Sequence, residues 1–404
     1  MKWLIVATMA FTYQGGAKDY YVWPEPAFDS MEQCKAWGSV YREDLADHLA
    51  EVYGVANQVE MISCVDLNIV KENISTYQKY CDGIGIKLRP HIKTHKIPAL
   101  AKLQIRAGAV GVTAQKISEA EAIISEGGID DILITYNIIG EKKLTALRNL
   151  SKKVKVSVVA DSYFCIKGLS KTFEKAKEAL PVLVECDTGA NRCGVTNPQE
   201  ACKLAELINI SPGLIFKGLM TYPPISQAQK INSFLSDAKK LIEEKNIAVN
   251  TVSIGGSPDM WKVQDIPIAT EYRIGTYIFN DRSLVEKKVC SEDKVALTVL
   301  ATVVSIPTKK RAIIDAGSKV LTSDLFGMSD HGSVINFPEL RITQLTEEHG
   351  TIISNKNINL KIGQKIQIMP NHACVVTNML DEVNLITEAK ELKKVKVIGR
   401  GKVW

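Results

Sequence analysis

The stretch LRPHIKTHK, Leu88–Lys96, sets two lysines and two histidines among apolar and small residues directly after GIGIK, which reads as the start of a β-strand. Polar groups gathered where a strand ends are the working surface of a strand–helix barrel, whose chemistry sits at the C-terminal ends of its strands. The fold therefore turns on whether this strand opens a series.

Downstream of IGIKLRPHIK, the segments AGAVGVT, DDILITY, VKVSVVA, PVLVECD, LIFKGLMT, NTVSIGG and GTYIFND each read as a short apolar strand. Helical stretches such as KISEAEAIISEGG and SQAQKINSFLSDAKKLIEEKN separate most of them. Eight alternating units predict an α/β fold, a (β/α)8 barrel of the TIM type within residues 61–282. A doubly wound sheet is the structural alternative, but no GxGxxG fingerprint follows an early strand. MISCVDL, Met61–Leu67, reads as one more strand ahead of the series, with Ile69, Ile74 and Tyr77 on one face of the helix behind it. After Asp281 the helical period fades. VALTVLATVVSIP, RAIIDAGSKVL, INLKIGQKIQIMP and VNLITEAKELKKVKVIG, with Gly and Asn between them, predict a mostly antiparallel β domain over 283–404.

Residues 1–60 differ in texture, being rich in Tyr, Trp, Asp and Glu, and predict one helix near YREDLADHLAEVYG. MKWLIVATMAF, followed by QGGA, reads either as an export signal within residues 1–17 or as a buried strand. The expected location is the cytoplasm, with export as the alternative; in an exported chain Cys34 and Cys64 could pair. The nine cysteines have no regular spacing and read mainly as packed thiols. The net charge of +5 is spread without a basic block and aromatics make up only 6%, which argues against nucleic acid or an anionic membrane as partner. No apolar run reaches the ~18 residues of a bilayer crossing. A small-molecule enzyme is the class that remains.

The strand ends are unusually polar. The first closes on Pro90-His91-Ile92-Lys93, the fifth on Glu185 and Asp187 with Arg192 close behind, the sixth on Thr221-Tyr222, and the seventh on Gly255-Gly256-Ser257. A lysine ending a buried strand must be paired or lose its proton through desolvation. The resulting free amine forms a Schiff base with a carbonyl, and Lys93 is the candidate; a salt-bridged or snorkelling lysine is the plainer reading. Glycines after the seventh strand let backbone N–H groups approach an anion, the usual phosphate position of this fold. In the β domain, PNHAC sets His372 and Cys374 two apart, so an extended strand would point both side chains to one face. Imidazole with thiolate suits zinc and leaves positions open for water and substrate.

These residues resemble a known family. LRPHIKTHK is similar to the cofactor-lysine motif of the fold-type III pyridoxal-phosphate enzymes of the D-threonine aldolase and D-serine dehydratase group, which have an alanine racemase-like barrel. VECDTGANRCGV, SIGGSP, TEYRIGTYIFND, IIDAGSKVLTSD, TEEHG and MPNHACVVTNMLDEV resemble further blocks in the same order, from about Val65 to Trp404. The resemblance implies pyridoxal 5'-phosphate on Lys93, Arg192 at the pyridine nitrogen, and Gly255, Gly256 and Ser257 at the phosphate. It places Tyr277 nearby, Tyr222 beside the reacting carbon, and His95 in support. His372 and Cys374 would hold a divalent ion, zinc first and manganese or magnesium as alternatives. Asp381 reads as a residue behind that ion or as solvated, Glu382 as solvated, and His91 and His349 carry no firm role. The resemblance also moves MISCVDL into the β domain and implies a homodimer; residues 1–60 lie outside it.

The implied activity is a lyase on D-3-hydroxy amino acids. Elimination would give a 2-keto acid and ammonia, as in D-serine dehydratase. Carbon–carbon cleavage would give glycine and an aldehyde, as in D-threonine aldolase. Two details favour elimination: Cys374 stands where family aldolases tend to have a carboxylate, and TYPPISQAQK lacks the histidine they tend to carry after the tyrosine. A racemase, or a non-catalytic carrier of the cofactor, is a further alternative, and the carrier is disfavoured by the β domain.

Overall fold

The computed structural model describes residues 6–10, 18–22, 33, 63–387 and 392–404. The chain forms two compact units, Met1–Glu60 and Met61–Trp404. In the first, Val6–Ala10 pairs antiparallel with Lys18–Val22. Cys34, His48, QGGA and the helix expected near residues 41–54 lie outside the described residues, while Cys64 is a free, buried thiol.

The second unit contains the expected barrel. Eight parallel strands run Lys87–Leu88, Val112–Ala114, Asp131–Ile134, Lys155–Ala160, Leu180–Cys186, Leu214–Thr221, Thr251–Gly255 and Glu271–Arg273, with the eighth beside the first. A parallel bridge between His91 and Thr113 closes the ring, with the Thr113 N–H donating to the Pro90 carbonyl at 2.7 Å. Alternate residues of each strand face opposite ways. Ile132, Val158, Val182 and Val184 therefore join the main core, whereas Leu133, Val159, Leu183 and Met220 make a small separate cluster. The other side of the interior is polar and carries Arg89, Ser253, Glu271 and Arg273.

One strand assignment is corrected. GTYIFND is not the eighth strand: Thr276–Ile278 is a 3-10 turn, and the strand lies just ahead of it at Glu271–Arg273. Tyr277, Ile278 and Phe279 are apolar because they pack into the core. The true strand was masked by its charged residues, which face the barrel interior.

The β domain is a nine-stranded sheet. Leu297–Thr308 pairs with both Arg311–Ile314 and Lys365–Pro370, and Gly350–Ile353, Arg341–Leu345 and Gly332–Val334 complete a closed six-strand barrel between them. The last three strands are short and were not foreseen. Ser63–Asp66, from the segment ahead of the barrel, pairs with Leu297–Thr308 and Glu382–Ile386, so it does belong to the β domain. Among the described residues no helix is long and apolar enough to cross a membrane.

Candidate active site

Just after the first barrel strand, His91 caps a single 3-10 turn, Ile92–Thr94, which carries Lys93. The His91 Nδ1 accepts the Lys93 N–H at 3.4 Å, and its Nε2 lies 3.1 Å from the Gln115 Oε1. Burial, and then the charge of Lys93, push the His91 pKa well below the usual value. The ring is therefore neutral with its proton on Nε2, and Gln115 is fixed in turn by donating to the Thr135 carbonyl at 2.8 Å. Lys93 lines a cavity of about 310 Å³ at the strand ends, shared with Arg192, Tyr222, Gly255, Ser257 and Arg273.

The barrel wall of this cavity is held by a polar chain. Arg273 donates to the Thr221 carbonyl at 2.8 Å and to the Ser253 hydroxyl at 2.6 Å; Ser253 donates to Glu271 at 2.6 Å, and Glu271 accepts from Arg89 at 2.8 Å. Arg89 ends the chain on Asp131 at 2.5 Å. Burial lowers the Arg273 pKa to about 10, which still leaves it a cation at neutral pH. The loop after the fifth strand folds around Asp187, whose carboxylate accepts the N–H groups of Gly189, Asn191 and Arg192. Arg192 lies over the Tyr222 ring at 4.4 Å, a cation–π contact.

The β domain supplies the facing wall. Here the extended-strand expectation for PNHAC is corrected: His372 is the N-cap of the helix Ala373–Met379, and Cys374 sits in its first turn. The strand Lys365–Pro370 ends just before, and the buried Asp281 carboxylate receives the Ala373 N–H at 3.1 Å, which seats the helix start. His372 and Cys374 still meet. Burial opposes both charges, yet the two groups support each other: the thiol falls below its usual value of 9.0 and the imidazole rises to about 9. Asp324 bonds the His372 Nδ1 at 2.6 Å. The Thr94 hydroxyl, next to Lys93, lies 3.2 Å from the Cys374 sulfur. The lysine turn and the imidazole–thiol pair thus meet within one chain.

Of the residues singled out from sequence, His91, Lys93, Arg192, Tyr222, Gly255, Gly256, Ser257, His372 and Cys374 line this cavity. His95 and Tyr277 do not. The 3-10 turn Ile92–Thr94 ends at His95 and turns it into the core, where its ring caps the Ile97 N–H and meets Gln104, and burial lowers its pKa to about 4. Tyr277 is buried beside Tyr77, its hydroxyl bonded to Gln104 at 3.0 Å. Asp381 is exposed and paired with Arg400 at 2.9 Å; Glu382 and His349 are exposed as well. Sequence reasoning missed Arg273, Asp281, Asp324, Phe326 and Lys287. Arg273 was within reach of the strand-end rule once the eighth strand is placed correctly.

The donor set fits the implied groups in part by a different route from the expected one. Gly255 is required by packing, since a Cβ there would lie 2.0 Å from the Arg273 carbonyl oxygen. Gly256 has φ +139°, and a Cβ on it would project into space bounded only by the Tyr222 ring at 3.9 Å. Its own N–H is spent on the Arg273 carbonyl at 3.2 Å, so of the three residues Ser257 is the one with a side-chain donor to offer. For a metal, no group of three or more His, Cys, Asp or Glu converges among the described residues. His372 and Cys374 make a two-donor site, and the carboxylate behind the imidazole is the orienting partner that ligating histidines usually have.

Comparison with known proteins agrees with this architecture. Residues 65–283 match the family described as "Alanine racemase, N-terminal domain", and residues 296–386 match "Putative serine dehydratase domain". A 3-hydroxy-D-aspartate aldolase of Paracoccus denitrificans is 30% identical over 84% of this chain and 91% of its own length. A D-threo-3-hydroxyaspartate dehydratase of Delftia sp. is 27% identical over 77% of this chain and 89% of its own length. The crystal structure of D-threonine aldolase from Filomicrobium marinum superposes with a TM-score of 0.79 at 28% identity, covering 85% of this chain and 96% of that one.

Proposed function

The chain belongs to the alanine racemase-like family of D-threonine aldolases and D-serine dehydratases, and from that premise we propose that it is a pyridoxal-phosphate- and metal-dependent lyase of D-3-hydroxy amino acids whose main reaction is dehydration. The observation that carries this is the 3.2 Å contact of Thr94 with Cys374, which sets a strand-end amine and an imidazole–thiol pair against one small cavity. Lys93 would hold the cofactor's aldehyde carbon, Arg192 would donate to its ring nitrogen, and Ser257 to its phosphate. His372 and Cys374 would hold the ion, zinc by donor chemistry. Bound, the cofactor would supply an electron sink at the substrate's α-carbon and the ion a Lewis acid at its β-oxygen.

The protein's own groups favour elimination. In this reading the Lys93 amine would take the α-proton, the β-hydroxyl would leave with a proton as water, and hydrolysis of the resulting enamine by a second water would give a 2-keto acid and ammonia. Retro-aldol cleavage needs instead a base at the β-hydroxyl. Asp281 is committed to the Ser283 hydroxyl and the Leu284 and Ala373 N–H groups, and the His91 lone pair is used by Lys93 N–H. Aldol cleavage is the second reading, favoured by the aldolases among the relatives. The exposed rim of Tyr222, Ile225 and Phe326 suits the expected homodimer.

The deciding assay follows 2-keto acid and aldehyde separately from D-serine and D-threonine. Keto acid should dominate, and Lys93→Ala should lower it by on the order of 10³-fold or more. Aldehyde and glycine in excess would replace dehydration by aldol cleavage, and an undiminished Lys93→Ala variant would refute the lysine's role.

A further inference from the structure

One cation of the cavity has no role in this reading. Lys287 lines it, just past the helix Arg282–Glu286, and its ammonium donates to the Ser283 carbonyl at 3.5 Å. The adjacent Glu286 is taken by Arg282 at 3.3 Å, and among the described residues no carboxylate stands within ion-pair distance of Lys287. The other cations have partners or roles in that reading: Arg273 is bonded to Ser253 and Thr221, Arg192 serves the cofactor's ring nitrogen, and Lys93 holds its aldehyde carbon.

Lys287 is placed relative to His372 by one aromatic ring. Its Nζ lies 5.6 Å from the Phe326 centroid, and the Phe326 ring meets the His372 ring edge-on at 5.0 Å. Phe326 has φ +47°, a left-handed backbone that is an outlier for a bulky residue and that costs strain energy. Two residues earlier Asp324 binds the His372 Nδ1. The loop therefore holds the imidazole through a carboxylate and a ring, and the same ring meets the ammonium.

We propose that Lys287 is the counter-ion for a negative group on the substrate's β-carbon, so that the substrate is a D-3-hydroxy amino acid with an acidic side chain, a 3-hydroxyaspartate, in preference to D-serine or D-threonine. The inference rests on the reading that the β-hydroxyl is held at His372 and Cys374. With the hydroxyl there, the remaining substituent of the β-carbon meets the Phe326 face and then Lys287. A hydrogen or methyl leaves the ammonium unpaired, whereas a carboxylate pairs with it.

The test has a binding arm and a turnover arm on the holoprotein. D-Aspartate and D-2-aminobutyrate lack the β-hydroxyl and so can neither dehydrate nor undergo aldol cleavage, and they differ by a carboxylate against a methyl. Calorimetry should show D-aspartate bound at least ~5-fold more tightly, the preference vanishing in Lys287→Gln and returning in Lys287→Arg. The kcat/KM ratio of D-3-hydroxyaspartate to D-threonine should fall by at least ~5-fold in Lys287→Gln. Equal binding of the two probes by the wild type, or a ratio unmoved by Lys287→Gln, overturns the proposal; equal losses for both substrates would mean that Lys287 serves the α-carboxylate, and overturn it too. Failure of every hydroxylated substrate to react would refute the lyase reading, while the D-aspartate preference would still report on Lys287.

Discussion

On the barrel side of the cavity, Arg273 and Glu271 share one strand, Ser253 stands on the strand beside it and Arg89 just past the strand on its other side; all four are nearly inaccessible to water and bonded to one another in a chain. On the β-domain side, His372 caps a seven-residue helix, its partner Asp324 has a side chain 44% exposed, and the loop between Asp324 and Gly327 runs through a left-handed phenylalanine. The first wall is fixed by the fold and can wait in place for an occupant that stays. The second rests on a short helix and a loop, and can be changed by a few residues without disturbing the strands. In the proposed reading the cofactor, which every turnover reuses, sits against the first wall, and the substrate's variable end sits against the second.

The sharpest way to break this contrast is to cut each wall at its charged partner and measure stability. Arg89→Met leaves Glu271 buried without its cation and frees Asp131, and removing one partner of a buried pair costs about 3–5 kcal/mol. Asp324→Asn removes a half-exposed partner and should cost no more than about 1 kcal/mol. Denaturant unfolding of the two variants should give that order; similar losses from both would mean that the walls are equally rigid.

A second probe uses the pH dependence of the barrel side. Glu185, next to last in the fifth strand, is 3% exposed, with the Asn137 amide donating to it at 3.2 Å. Burial, and then the charge of Asp161, lift its pKa from 4.5 to about 7, against the pull of Arg192 and Arg273. Between these two values the unfolded chain has released the proton while the folded chain keeps it, so this group's contribution to stability falls as pH rises through the window. Below about 4.5 both states are protonated and above about 7 both are ionised, so the penalty is absent below and constant above. Glutamine cannot ionise. Glu185→Gln should therefore gain on the wild type between those pH values by about 1–3 kcal/mol and stay level outside them. A stability difference independent of pH would show that Glu185 ionises as freely as a surface carboxylate.

The same contrast explains what could be read from the chain. Lys93, Arg192, Tyr222 and the Gly255–Ser257 turn each follow a strand, and a strand-end position is a local property that a short window of sequence displays. Asp324 and Phe326 owe their place to a helix cap 48 residues away, and no local pattern announces that contact. Arg273 was lost because charged residues facing the barrel interior disguised its strand, while the buried aromatic run behind it imitated one. His95 was drawn in by its closeness to Lys93 in sequence, and one 3-10 turn is enough to swing neighbouring side chains to opposite sides. PNHAC kept its meaning through a change of secondary structure, since a cap and the first helical turn also bring residues two apart together.

The smallest expected effect concerns the loop itself. Where this chain adopts a left-handed backbone without glycine it often places asparagine, as at Asn191, Asn246, Asn280 and Asn336. Asparagine tolerates that conformation because its short side chain hydrogen-bonds locally, whereas a bulky residue is strained by about 1–3 kcal/mol. Phe326 is half exposed, so its ring recovers only part of that strain through contact with His372 and Lys287. Phe326→Asn should accordingly raise stability, by about 0.5–1 kcal/mol in thermal or denaturant unfolding. The gain should come with a weaker preference for D-aspartate over D-2-aminobutyrate, because the ring that spaces Lys287 from the imidazole is gone. A variant that is more stable and equally selective would show that the ring has no part in placing the ammonium. A less stable variant would mean that the ring's contacts outweigh the backbone strain, and that this wall of the cavity is held as firmly as the one across from it.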